Sequence, residues 1–271
     1  MRKTVRAALC GLVLQAAASL GAGPAVAGDC QAQAINVLKS ASSNGYAVFR
    51  TVKDKAFFRT WLDCGDAKYG LPTAVHESVH VITADGDAFP LVGGGAVKRP
   101  AEDAALFAPA RISRLFRSSL FVDTYLRPKG ATSAVDFRYL LDELNSYTHD
   151  LDTAVALNDR RDPDVQQHHR DGLAALMSFV ALYIETAEND PSAWSALKRP
   201  GTTAAVSTLW AQAERTMVAS CRIPDFGDED KDFLGKLCAM RTQAALGRFL
   251  GRAPICPKAC LNTGPKTASR D

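Results

Sequence analysis

A mainly α fold, α+β in the sense that it carries one small β-hairpin or sheet element near the N-terminus, is what this sequence predicts. Three observations carry that expectation. Long stretches of the second half place apolar residues at helical spacing. Runs with the alternating period of a half-buried strand are few. The longest apolar run, Leu173 to Ile184, has the length of a buried helix and is too short to span a bilayer.

The chain opens on a leader. Arg2, Lys3 and Arg6 form a positive region, Ala7 to Leu20 is apolar, and Ala25-Val26-Ala27 supplies the small residues a signal peptidase reads. Cleavage after Ala27 leaves a mature chain beginning at Gly28. Gln15 interrupts the apolar run and Gly-Ala-Gly-Pro ends it, so a membrane anchor is disfavoured. Asp29 before Cys30, and the residues before Cys10, make poor lipidation signals. Loss of three basic residues takes the formal charge of +3 to about zero. No charge field then argues for nucleic acid, or for a membrane once the leader is gone. Residues 28–263, lacking repeats or linkers, read as a single domain large enough for a substantial core.

Taken in order, Gln31 to Ser40 reads as a short helix. Tyr46 to Val52 and Ala56 to Leu62 flank Lys53-Asp54-Lys55 in the manner of a hairpin. Gly70-Leu71-Pro72 opens a helix that runs to about Thr83 and ends at Asp85-Gly86-Asp87. Phe89 to Val97 is a strand or extended loop with a turn at Gly93-Gly94-Gly95, placed to form a flap. Ser133 can cap a long helix bearing Phe137, Leu140, Leu141, Leu144, Tyr147, Leu151 and Val155 at helical spacing. Asp171 to Glu188 is apolar almost all round and should be the central buried helix. Thr202 to Ser220 and Asp228 to Leu250 complete the set, and the polar tail from Gly264 to Asp271 reads as disordered. Cys10 leaves with the leader, and six cysteines remain, an even number that suits disulfides in an oxidising compartment. Proximity along the chain suggests Cys30 with Cys64, Cys221 with Cys238 and Cys256 with Cys260.

One motif carries chemistry: His76-Glu77-Ser78-Val79-His80. Residues four apart share a helix face, so both imidazoles can point at one ion. Glu77 can then take a proton from a water at that ion, as a general base. Val75, Val79 and Ile82 give the helix an apolar back.

The motif resembles that of the zincin metallopeptidases, in which such a helix supplies two zinc ligands and the base. The resemblance covers five residues and implies one Zn2+ per chain, a zincin-like helical domain and a peptide or protein substrate. After His80, Val81 to Gly86 lack the glycine and third histidine of the metzincin extension, so the gluzincin type fits better. That type implies a downstream glutamate as third ligand. Glu143 is the best candidate, at the middle of the amphipathic segment Leu140 to Tyr147. Tyr147, one turn on, could donate to a developing oxyanion. Glu185 is the second candidate and His168 or His169 a third, while His149 reads as solvent-facing or as support for the ligands. Glu102, Glu214 and Glu229 stand in loops or late in helices without apolar company. The expectation is an exported, periplasmic or extracellular zinc-dependent hydrolase of peptide bonds. Two rivals stand beside it: a disulfide-stapled binding or structural protein with a structural zinc or none, and a hydrolase of non-peptide amides.

Overall fold

The structure, a computed structural model, describes residues 24–62, 67–127, 130–160, 168–224 and 226–262. The charged and apolar parts of the expected leader, and the tail expected to be disordered from Gly264, lie outside the described residues. Twelve helices and one hairpin are described: α1 Pro24–Ala41, α2 Ser43–Thr51, α3 Lys55–Thr60, α4 Ala67–Gly86, β1 Ala88–Pro90, β2 Ala96–Lys98, α5 Leu120–Tyr125, α6 Phe137–Ala156, α7 His169–Ala187, α8 Pro191–Leu197, α9 Pro200–Ser220, α10 Asp230–Leu237, α11 Met240–Leu250 and α12 Lys258–Leu261. The protein is mainly α with a small antiparallel β element. Among the described residues no helix is long and apolar enough to cross a membrane.

Local chemistry explains the departures from expectation. The hairpin expected over 46–62 is two helices. Ser42 accepts a hydrogen bond from Gly45 N–H, and Asp54, which reads as part of a turn, accepts from Ala56 and Phe57, so both residues are helix caps. Phe49 and Phe58 then meet edge to face at 5.0 Å between helices, not across a sheet. Helix α4 starts at Ala67, so Pro72 lies inside it and leaves one backbone hydrogen bond unmade. Asp136, not Ser133, caps α6 by accepting from Arg138 N–H. Ser133 sits in the preceding 3-10 turn and donates its hydroxyl to Tyr125 O instead. The helix expected over 228–250 breaks at Ala239, whose extended backbone separates α10 from α11.

Two apolar clusters form the interior. One joins Leu38, Val48, Val52 and Phe58 of the N-terminal helices to Leu71, Ala74, Val75 and Val79 of α4. The larger surrounds α7, which is buried on nearly every face as expected, and takes in α6 and α9. Helix α6 lies between α4 on one side and α7 and α9 on the other. The hairpin pairs Ala88 with Lys98 and Pro90 with Ala96. Its turn uses Gly93, Gly94 and Gly95 at φ of +91°, +104° and +79°, a region that side-chain-bearing residues rarely enter.

The C-terminal disulfides are Cys221–Cys260 and Cys238–Cys256, nested rather than sequential as proximity suggested. The end of α9 and the short α12 lie side by side, and the α10–α11 break brings Cys238 to Cys256, so tertiary placement decides the pairing. Cys30 is also disulfide-bonded, and Cys64, its expected partner, lies outside the described residues. Cys221–Cys260 closes a span of 39 residues. Replacing both cysteines by alanine should lower stability by roughly 2–4 kcal/mol, read as the urea midpoint. An unchanged midpoint would contradict a tethering role.

Candidate metal centre

Helices α4 and α6 build the site. His80 meets Asp142 and His76 meets Tyr147, so the two helices run antiparallel where they touch. The helical period puts His76 and His80 on one face of α4 while Val75 and Val79 turn into the N-terminal cluster. On α6, Leu140, Leu141 and Leu144 pack into the main core and leave Asp142, Glu143, Ser146 and Tyr147 toward α4.

Three donor atoms converge. His76 Nε2 and His80 Nε2 lie 3.2 Å apart. Glu143 Oε2 lies 3.6 Å from His76 Nε2 and 3.4 Å from His80 Nε2. Donors about 2.1 Å from a tetrahedral ion stand about 3.4 Å from one another, so this triangle has the dimensions of one zinc coordination face. Glu143 Oε2 is buried and accepts no hydrogen bond, which leaves a lone pair for a cation. Two imidazole nitrogens and one carboxylate oxygen are a donor set that zinc favours. These three form a potential metal-holding group among the described residues.

The supporting contacts fix the rings. Asp142 Oδ2 lies 2.8 Å from His80 Nδ1, and Ser146 Oγ lies 3.2 Å from the same nitrogen. A carboxylate on Nδ1 holds the proton there and turns the Nε2 lone pair toward the donor triangle. Because Asp142 and Ser146 both meet Nδ1, His80 cannot relay a proton from Ser146, and the trio is no serine-hydrolase triad. Burial opposes charge on His80, but Glu143 and Asp142 outweigh it and hold its pKa well above the ordinary histidine value. Burial likewise opposes ionisation of Glu143, yet His80 and His76 bring its pKa down to about 2. The carboxylate is therefore ionised across the physiological range.

Tyr147 stands against His76, ring to ring at 4.5 Å and edge on. Its hydroxyl lies 2.8 Å from that of Tyr125. Burial, with the added charges of Glu143 and Glu77, holds both phenols far above the ordinary tyrosine pKa. Both therefore remain protonated donors. Glu77 is half-buried, and its charge contributes to raising both phenols.

The other candidates are engaged elsewhere. Glu185 pairs with Arg241 at 2.9 Å and accepts from Thr242 at 2.7 Å. His168 faces Asp171 and Asp228 at an exposed position, and His169 Nδ1 lies 2.8 Å from Asp150. Glu102 pairs with Arg138. Glu214 is buried, not isolated, and binds Trp210, Arg252 and the backbone of Ile255. His149 is buried rather than solvent-facing. It donates from Nε2 to Pro90 O, and burial lowers its pKa to about 4, so it anchors the hairpin as a neutral ring. Asn145 Nδ2 donates to the same carbonyl, while Gln212 joins Asn145 to Val92 N–H. The flap expected at the glycine turn is thus held at its base.

Asp142, Ser146 and Tyr125 were not singled out by the sequence. For Asp142 a signal existed: two consecutive carboxylates in a helix otherwise rich in leucine.

Comparison with protein-family models, with curated proteins and with solved structures finds no match. Replacing Asp142 by alanine should weaken zinc binding about 10- to 100-fold while the fold is kept, measured by competition with a chelating dye. Undiminished affinity would show that His80 needs no such support.

Proposed function

We propose that this chain is an exported zinc-dependent peptidase of the zincin type, gluzincin-like in its third ligand. The observation that carries the reading is the triangle of His76 Nε2, His80 Nε2 and Glu143 Oε2, with sides of 3.2, 3.4 and 3.6 Å. His76, His80 and Glu143 would hold the ion. When bound, zinc supplies a Lewis acid that polarises a carbonyl and makes water acidic enough to attack near neutral pH. Glu77, next to the first ligand, accepts the proton of the attacking water and can pass it to the leaving amine. Tyr147 donates its hydroxyl to the oxygen on which negative charge develops.

A structural zinc is the rival reading, and the ligand arrangement argues against it. Closed sites take four protein ligands, whereas hydrolytic ones take three and leave a position open. Three donors converge among the described residues, and Asp142 Oδ2 is turned to His80 Nδ1. Export is supported by the leader sequence and by the two disulfides, which persist in oxidising compartments. The substrate follows as a peptide or protein met outside the cytoplasm.

Replacing Glu77 by glutamine keeps the size of the side chain and removes the base. Hydrolysis of a quenched fluorescent peptide library by the zinc-loaded protein should fall by about 10²- to 10⁴-fold, with zinc content unchanged. Undiminished hydrolysis, or loss of zinc on this change, would contradict the role given to Glu77.

A further inference from the structure

Tyr125 has no part in the chemistry above, yet several residues hold it in one position. It ends α5, is 6% exposed, and its carbonyl accepts the Ser133 hydroxyl at 3.1 Å. The chain then folds back, with Ala131 N–H donating to Thr124 O at 2.7 Å. Gly130 passes so close that a Cβ there would lie 2.0 Å from the Thr124 carbonyl oxygen. On the other side, the Tyr147 ring lies across Gly172, where a Cβ would come within 2.1 Å of Tyr147 Cε1. A side chain at Gly172 would displace the Tyr147 ring, and one at Gly130 would press on the Thr124 carbonyl, which precedes Tyr125. The outcome is a perpendicular pair of rings, 5.8 Å between centroids at 89°, with hydroxyl oxygens 2.8 Å apart.

Two phenols in contact share two protons, and one of them lies between the oxygens. The other must leave the pair. Tyr125 is enclosed by the core, whereas Tyr147 is half-buried and stands on His76. The outgoing proton therefore belongs to Tyr147, because a buried hydroxyl with no acceptor is costly.

We propose that Tyr125 is a positioning residue: its hydroxyl donates to Tyr147 and so turns the Tyr147 O–H outward, over His76, toward the carbonyl under attack. The role rests on the peptidase reading. It makes Tyr147 a fixed donor, already aimed before substrate arrives, and polarises its O–H through the second hydrogen bond.

The test is a double-mutant cycle on the zinc-loaded protein, using Tyr125→Phe, Tyr147→Phe and the double variant, with kcat, KM and zinc content measured for each. Tyr125→Phe should lower kcat on the order of tenfold, one hydrogen bond's worth of orientation, with KM and zinc content unchanged. In the Tyr147→Phe background it should cost nothing further. An equal loss in both backgrounds, or full kcat in the single variant, overturns the proposal. A second readout needs no activity: proton NMR of the zinc-free protein should show a slowly exchanging phenolic hydroxyl that Tyr125→Phe removes, and its absence from the wild type overturns the hydroxyl contact. A wild type that hydrolyses no peptide overturns the peptidase reading and the positioning role with it, whereas an active wild type with an unaffected Tyr125→Phe variant overturns the positioning role alone. If Tyr125→Phe does not fold, Ser133→Ala, which releases the Tyr125 carbonyl, should give a smaller kcat loss that also vanishes without the Tyr147 hydroxyl; a loss that persists there overturns the proposal.

Discussion

The antiparallel packing of α4 on α6 is the constraint on which the rest of the molecule depends. It sets two imidazoles against two consecutive carboxylates between the two apolar clusters. A buried carboxylate without a partner costs several kcal/mol, so such a cluster persists only with positive charge inside it. Asp142 Oδ2 takes the His80 Nδ1 proton while its Oδ1 accepts no hydrogen bond, and neither does Glu143 Oε2. That oxygen faces the two ring nitrogens at the separations a single tetrahedral ion requires. It is this donor geometry that points to an ion, since in the metal-free protein a His80 of raised pKa itself supplies positive charge.

The remaining elements keep that contact rigid. Helix α7, buried on nearly all sides, backs α6 and makes room at Gly172 for the Tyr147 ring. The hairpin hangs from α6 and α9 through Asn145, His149 and Gln212, so it is fixed to the helix that carries Glu143. Glu214 and the Cys221–Cys260 disulfide bind the C-terminal segment to α9, and Cys238–Cys256 ties it to the end of α10. Every proposed participant therefore stands on a helix rather than a loop, which suits a site whose donors must hold position within a fraction of an ångström.

Much of this was legible in the sequence, and what was not has identifiable causes. The HExxH spacing depends only on the helical period, which is why His76 and His80 could be placed beside each other without knowing the fold. Glu143 was legible because a carboxylate among Leu140, Leu141 and Leu144 calls for a partner. The segment over 46–62 misled because Asp54 caps a helix as readily as it makes a turn, and only packing decides between the two. Nested disulfides and the Tyr125–Tyr147 contact depend on residues distant in the chain, for which spacing holds no information. Asp142 was visible as an oddity beside Glu143, but its partner His80 lies 62 residues away.

The central claim is that His76, His80 and Glu143 hold one metal ion between α4 and α6, and elemental analysis of the purified mature protein tests it most directly. The account predicts one zinc per chain, lost on His76→Ala and on Glu143→Ala and kept on Glu185→Ala, whose carboxylate is bound to Arg241 and Thr242. Protein purified without chelator that contains no zinc and takes up none on titration would contradict the account.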